Sequence, residues 1–301
     1  MDPWWRRESI RITHVAHVAG RPVALHAQVM RVVDSDPGRS VRGGDVVRQV
    51  VVAASALVAI AGLAVGAGGF GGTGTADASG GAFAATATLI APAGPAFSIW
   101  SVIYLGLLAL GVWQLAPGRR TDSRQRRTGW LVAVTMLANT AWILVVQAGL
   151  VWLSVVVIVV LLLALVAVYA GLLESPPTSR WEGVLLDGTM GLYLGWVSIA
   201  TAANVAAASA ASGWSPGGVA GTTMTIALIG IVTVIGVAVG RLGRGRWAFS
   251  IALAWGLLWV SIGRWSGPPR DTAIAVAALV AAALVVMTPA LVRRDHANTA
   301  V

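Results

Sequence analysis

The chain has 301 residues, of which 57% are apolar and only 11% charged, with a mean hydropathy of +0.79. A soluble domain carries about 25% charged residues, so there is too little polar surface to coat a globule of this size and the expected solvent is lipid. There is no cysteine, which excludes disulfide frameworks, thiolate metal sites and cysteine nucleophiles. The net charge of +9 comes from arginine clusters set between apolar runs, the pattern of membrane topology signals and not of a nucleic-acid footprint.

Residues 1–45 are unlike the rest. They hold three of the four His and five of the 12 acidic residues, and no apolar run long enough to cross a bilayer. They read as a disordered cytoplasmic tail, or as an extension upstream of the natural start; a cleavable signal peptide is not expected. His14 and His17 have H-x-x-H spacing, which alone is a weak metal signal and fits a solvated tail.

From Val46 onward, eight apolar segments follow at about 46–69, 97–116, 130–148, 150–173, 184–208, 219–240, 247–263 and 272–292. Each matches a hydrocarbon core of about 30 Å at 1.5 Å per residue. None alternates as a barrel strand must, so the fold class is all-α: a polytopic membrane helical bundle. Residues 293–301 form a second short tail. Assigned to alternate sides, the connecting segments place 19 of the 21 Arg on one side. The positive-inside rule then puts both termini in the cytoplasm of a multi-pass protein of the inner (plasma) membrane. The Gly- and Ala-rich loop 70–96 lies on the opposite side and reads equally as a lid or as a plain linker.

Three segments carry more than lipid-facing residues. In the second, Phe97, Trp100, Ser101 and Tyr104 share one helix face; in the third, Thr135, Asn139 and Trp142 do. In the fifth, Tyr193, Trp196, Ala200 and Asn204 form a stripe of about three turns. An unpaired amide is costly in hydrocarbon, so Asn139 and Asn204 should face protein or a cavity. Trp130, Trp152, Trp181, Trp214, Trp247 and Trp265 sit near segment ends, as interface anchors do. For Trp100, Trp142 and Trp196 two readings stand: helix packing, or an aromatic pocket for a flat apolar ligand. Asp187 is an intramembrane acid, or an anion at the cytoplasmic start of its helix. Arg264 is expected to snorkel to the interface.

The pairs Trp100/Tyr104 and Asn139/Trp142, and above all Tyr193-x-x-Trp196-Val-Ser-Ile-Ala200-Thr201-x-x-Asn204, resemble the tryptophan-rich sensory protein family (TspO/MBR, translocator-protein-like). The resemblance covers about 46–208 and implies a five-helix core, with three additional helices over 209–292. It implies a porphyrin or haem-like tetrapyrrole as bound ligand, with Phe97, Trp100, Tyr104, Asn139, Trp142, Tyr193, Trp196, Ala200, Thr201 and Asn204 as ligand-binding residues. The chain departs from the family pattern at Ser98, at Leu192 and after Val205, where the aromatic-plus-basic end linked to sterol contact in animal members is absent.

No hydrolase or nucleotide-binding signature is present, no carboxylate pair falls within the membrane segments, and no span contains His, which excludes an axial imidazole inside the bundle. The expected role is non-enzymatic binding for sensing, sequestration or transport, with no required cofactor. The alternatives are a secondary transporter of a small hydrophobic solute and a tetrapyrrole-degrading enzyme. The expected partners are the bilayer and a small hydrophobic ligand; a homodimer is open and nucleic acid is not expected.

Overall fold

The computed structural model describes residues 40–69 and 73–299. The tail and the His14/His17 pair lie outside the described residues. Among the described residues, eight helices are long and apolar enough to cross a membrane. They are α1 Gly43–Gly66, α2 Ile99–Trp113, α3 Ser123–Gln147, α4 Val151–Leu173, α5 Arg180–Ala211, α6 Gly218–Leu242, α7 Ala248–Ser266 and α8 Thr272–Thr299. A 3₁₀ turn, Gly94–Ser98, leads into α2 with Pro95 in its first turn, where a missing N–H costs nothing.

Two helices begin earlier than hydropathy predicts. α3 starts at Ser123 and not near 130, because its first turns carry arginines. The Asp122 carboxylate caps them, accepting from the amides of Arg124 and Gln125 at 2.9 and 3.0 Å. α5 starts at Arg180, capped by the Ser179 hydroxyl. The stretch Gly183–Gly188 of α5 is π-helical, a rare local widening that here turns Asp187 inward.

The first five helices close into a ring in the order α2, α1, α3, α4, α5, with α5 returning to α2. α7 docks on the outer side of α5, α8 packs on α7, and α6 packs on α8. The α5–α7 seam is built from small residues. A Cβ on Gly195 would fall onto the Phe249 carbonyl oxygen; one on Gly191 would lie 2.9 Å from the Ala248 Cβ, and one on Gly256 2.5 Å from the Ile199 side chain. Close backbone approach of this kind is how helices associate in lipid, where apolar burial gives no drive.

Charges that hydropathy sets at the bundle end are buried there. Arg124 is 2% exposed and donates to Glu182 Oε1 at 2.8 Å and to Asp187 Oδ1 at 2.7 Å. Arg246, from the α6–α7 turn, pairs with Asp187 at 2.8 Å and donates to the Leu172 carbonyl. Asp187 therefore takes the role of a structural acid that joins α3 and α5 to the added helices. No intramembrane carboxylate pair is expected from the sequence; the fold brings Glu182 and Asp187 together on a shared Arg124, and Arg246 on Asp187 supplies the second positive charge. Asp45 likewise pairs with Arg48 and Arg126, tying α1 to α3.

Candidate functional site

The aromatic faces of α2, α3 and α5 converge on one cavity at the end of the bundle opposite the arginines. Its inner chamber measures ≈ 50 Å³ and an adjoining outer chamber ≈ 330 Å³. Phe97, Trp100, Asn139 and Trp142 line both. Trp196, Ala200 and Asn204 line the inner chamber, and Tyr104 the outer.

Two of the ten sequence-read residues stand apart. Tyr193 is fully buried behind the wall, its hydroxyl donating to the Thr135 carbonyl at 3.1 Å and its ring 5.8 Å from Trp100. Thr201 faces away. It lines a separate groove on the outer side of α5, and its hydroxyl is spent on the Val197 carbonyl. The helical period explains this: Thr201 lies about 100° round the helix from Ala200.

The aromatic rings meet mostly edge to face. Trp196 packs against Phe97 at 5.6 Å and Trp100 at 6.2 Å, with interplanar angles of 77° and 82°. This is the preferred geometry of ring quadrupoles. Trp196 is 1% exposed, and its Nε1–H has no hydrogen-bond partner. A buried unpaired donor costs about 1–3 kcal/mol, so it needs a reason. An acceptor on a ligand entering this chamber would satisfy it.

The amides have other work. Asn139 Nδ2 donates to the Tyr104 hydroxyl at 2.6 Å, linking α3 to α2. Trp142 Nε1 donates to Asn204 Oδ1 at 2.7 Å, and Asn204 Nδ2 to the Ser154 hydroxyl at 2.9 Å, linking α3, α5 and α4. These bonds fix the walls of the cavity. Replacing Asn204 by Leu strands the Trp142 N–H and removes the donor to the Ser154 hydroxyl, which keeps its bond to the Val151 carbonyl, and should destabilise the bundle by about 1–2 kcal/mol. Thermal unfolding in detergent reads this; an unchanged midpoint would show that the network contributes nothing.

The roof comes from the loop between α1 and α2, which single-helix periodicity cannot see. Phe83, Thr88, Ala91 and Pro92 line the inner chamber, with Phe83 5.9 Å from Trp142. Of the two readings of this loop, the cover is the one its placement fits. It is held from the side by α7. The Ala93 amide donates to the Trp259 carbonyl at 3.1 Å, and Trp255 Nε1 to the Ala96 carbonyl at 2.9 Å. Arg264 donates to the Thr88 and Ala85 carbonyls at 3.1 and 2.8 Å.

The snorkelling expected of Arg264 is thus overturned. It lies within α7 and is 1% exposed, because loop carbonyls facing inward offer it acceptors that the interface would otherwise supply. Beside it, Asp271 caps α8 and accepts from the Thr222 hydroxyl of α6. Burial alone would raise its carboxyl pKa, but Thr222, the Ile274 and Ala273 amides and the Arg264 charge hold it below the usual value.

Of the end tryptophans, Trp130, Trp152, Trp181, Trp214 and Trp265 are exposed, as interface anchors are, and Trp247 is half-buried beneath Arg293. Among the described residues, no group of His, Cys, Asp and Glu is placed to hold a metal ion.

An eight-helix membrane bundle with a roofed, tryptophan-lined cavity in its first five helices defines the class. The chain belongs to the TSPO-like protein family, whose model matches residues 48–291 and so runs through α6, α7 and most of α8 as well as the core. Comparisons with curated proteins and with solved structures find no match.

Proposed function

We propose that this protein binds a flat hydrophobic ligand, a porphyrin or haem-like tetrapyrrole, between α2, α3 and α5 and under the α1–α2 loop, for sensing, sequestration or transport. One observation carries the reading: aromatic faces from three helices meet in a single cavity where a buried Trp196 N–H lacks a partner. Ligand pockets usually span about 300–1,000 Å³. The outer chamber alone, ≈ 330 Å³, reaches that range, so a macrocycle would occupy it with one edge toward Trp196. Stacking and burial supply affinity, at roughly 25 cal/mol per Å² of apolar surface, and no imidazole is needed.

Titration of purified protein with protoporphyrin and haem tests this, because their main absorption band overlaps tryptophan emission and binding quenches it. Absence of saturable quenching below about millimolar would reject the reading. Mass spectrometry of the porphyrin after incubation in light and in dark separates binding from turnover: unchanged porphyrin in both supports a binder, and a new product supports the enzyme alternative. The secondary-transporter alternative expects internal repeats, and α6–α8 pack as a flank on α5 and not as a second half of the ring.

We place both termini in the cytoplasm of the inner membrane, on the arginine asymmetry. Reporter fusions in 117–129 and 209–218 should report opposite sides; equal signals would contradict the topology. The role given to the roof adds a kinetic expectation. Arg264→Gln weakens the hold on two loop carbonyls, and porphyrin should then associate and dissociate about tenfold faster. Unchanged stopped-flow rates would show that the loop does not gate the cavity.

A further inference from the structure

Two of the side chains that line the inner chamber carry a buried polar atom with no hydrogen-bond partner: Trp196 through Nε1 and Thr88 through Oγ1. Thr75, Asn139, Trp142 and Asn204 also line it, and each is bonded within the protein. The unpaired pair comes from distant parts of the chain, Trp196 from α5 and Thr88 from the roof. An indole N–H can only donate, and a threonine hydroxyl can rotate to do so. Two unpaired donors beside one small chamber are met together by a single group rich in lone pairs.

The charge behind the chamber has the matching sign. Arg264 is 1% exposed, reaches the Thr88 carbonyl at 3.1 Å and leaves its Nε without a partner. Among the described residues it forms no ion pair. Asp271, the acid beside it, accepts from the Thr222 hydroxyl and the Ile274 amide. No carboxylate lines the chamber. A buried cation held by carbonyls alone lacks a counter-ion, and a buried charge is costly without one.

Size fixes what can enter. The ≈ 50 Å³ of the inner chamber exceed the roughly 10–15 Å³ that one water needs and fall far short of the about 300 Å³ at which ligand pockets begin. It admits a side group and not a ring. The outer chamber of ≈ 330 Å³ shares Phe97, Trp100, Asn139 and Trp142 with it and has the room for the ring.

We propose that the inner chamber is a subsite for a carboxylate arm of the ligand, held by the Trp196 N–H and the Thr88 hydroxyl with Arg264 as counter-charge, so that the protein selects flat hydrophobic molecules that bear an acid group. The inference rests on the reading of the aromatic cavity as a ligand site. It makes Thr88 a specificity-determining residue and gives Arg264 a second role besides holding the roof. A carboxylate that leaves water for this chamber needs compensation. Hydrogen bonds to an ionised acceptor, about twice as strong as neutral ones, supply it.

The test is absorbance titration of the full chain in detergent with protoporphyrin, its dimethyl ester and etioporphyrin. The first carries free propionates, the second keeps their carbonyl oxygens without the charge, and the third bears only alkyl groups. Wild-type protein should bind protoporphyrin about tenfold more tightly than the ester, and etioporphyrin most weakly. Thr88→Val keeps the shape and removes the hydroxyl; Trp196→Phe keeps a ring and removes the N–H. Each should cost protoporphyrin about tenfold and etioporphyrin much less. Thr88→Val decides the matter if Trp196→Phe does not fold. The proposal falls if the ester or etioporphyrin binds wild-type protein as tightly as protoporphyrin, or if folded Thr88→Val keeps the full preference; saturable binding in those cases leaves the cavity reading standing. If no porphyrin binds, the cavity reading fails and the subsite with it.

Discussion

Arg124→Ala should be among the most damaging single substitutions outside the cavity, costing about 3–5 kcal/mol. Arg124 is the cation shared by Glu182 and Asp187, and both carboxylates are buried. Removing it leaves Glu182 with only the Thr178 hydroxyl and amide and the Ser179-capped turn around it, while Asp187 keeps Arg246. The Arg127–Glu174 pair on the same end of the bundle is the control. It is exposed on both sides, at 43% and 63%, and such pairs contribute at most about 1 kcal/mol. In detergent, the unfolding midpoint of Arg124→Ala should fall by roughly 10 °C and that of Arg127→Ala by no more than about 3 °C. Equal shifts would show that the buried network has no special weight.

Gly195→Leu should separate the added helices from the core. A side chain at 195 meets the Phe249 backbone, which a rotamer change cannot relieve. Overpacking costs about 1–3 kcal/mol where neighbours can shift, and here the neighbour is a helix backbone, so the cost should reach at least the top of that range. The displacement of α7 also pulls on the contacts from Trp255, Trp259 and Arg264 to the roof. The variant should therefore lose stability and exchange porphyrin faster. Gly230→Leu is the control, because nothing lies within 4 Å of a Cβ there, and replacing a helical glycine is neutral or mildly stabilising. If Gly195→Leu behaves like Gly230→Leu, the α5–α7 seam is not close-packed.

These predictions rest on parts of the fold that the sequence discloses unevenly. The eight spans and the all-α class are legible because lipid demands long apolar runs with internally paired backbone. The family is legible in the α5 stripe, since Tyr193, Trp196 and Asn204 lie on one helical period. The start of α3 is not, because hydropathy scores Arg124 and Arg126 as solvent while Glu182 and Asp187 bury the first and Asp45 pairs with the second, all distant in sequence. The roof is invisible for the same reason: Phe83 and Thr88 have no periodicity, and their place depends on α7. Arg264 shows the limit most plainly. A cation at the end of an apolar segment is an interface residue by default, and only the fold supplies the Thr88 and Ala85 carbonyls that keep it inside. Within the stripe itself, Thr201 is carried by the motif but turned away by the helix period.

The central claim is that tryptophans at the α2–α3–α5 junction form a ligand site and not only a packed core. The most direct measurement is the protoporphyrin affinity of wild-type protein, Trp142→Ala, Trp196→Ala and Trp247→Ala, read by absorbance so that loss of a fluorophore does not enter. Trp142 and Trp196 line the inner chamber, whereas Trp247 precedes α7 at the opposite end beneath Arg293. The account predicts that Trp142→Ala and Trp196→Ala each weaken binding by about 1–3 kcal/mol, or roughly 5- to 150-fold, from lost ring contact, and that Trp247→Ala leaves it unchanged. Equal losses at Trp247 and Trp196, or no loss at either cavity tryptophan in folded protein, would contradict it.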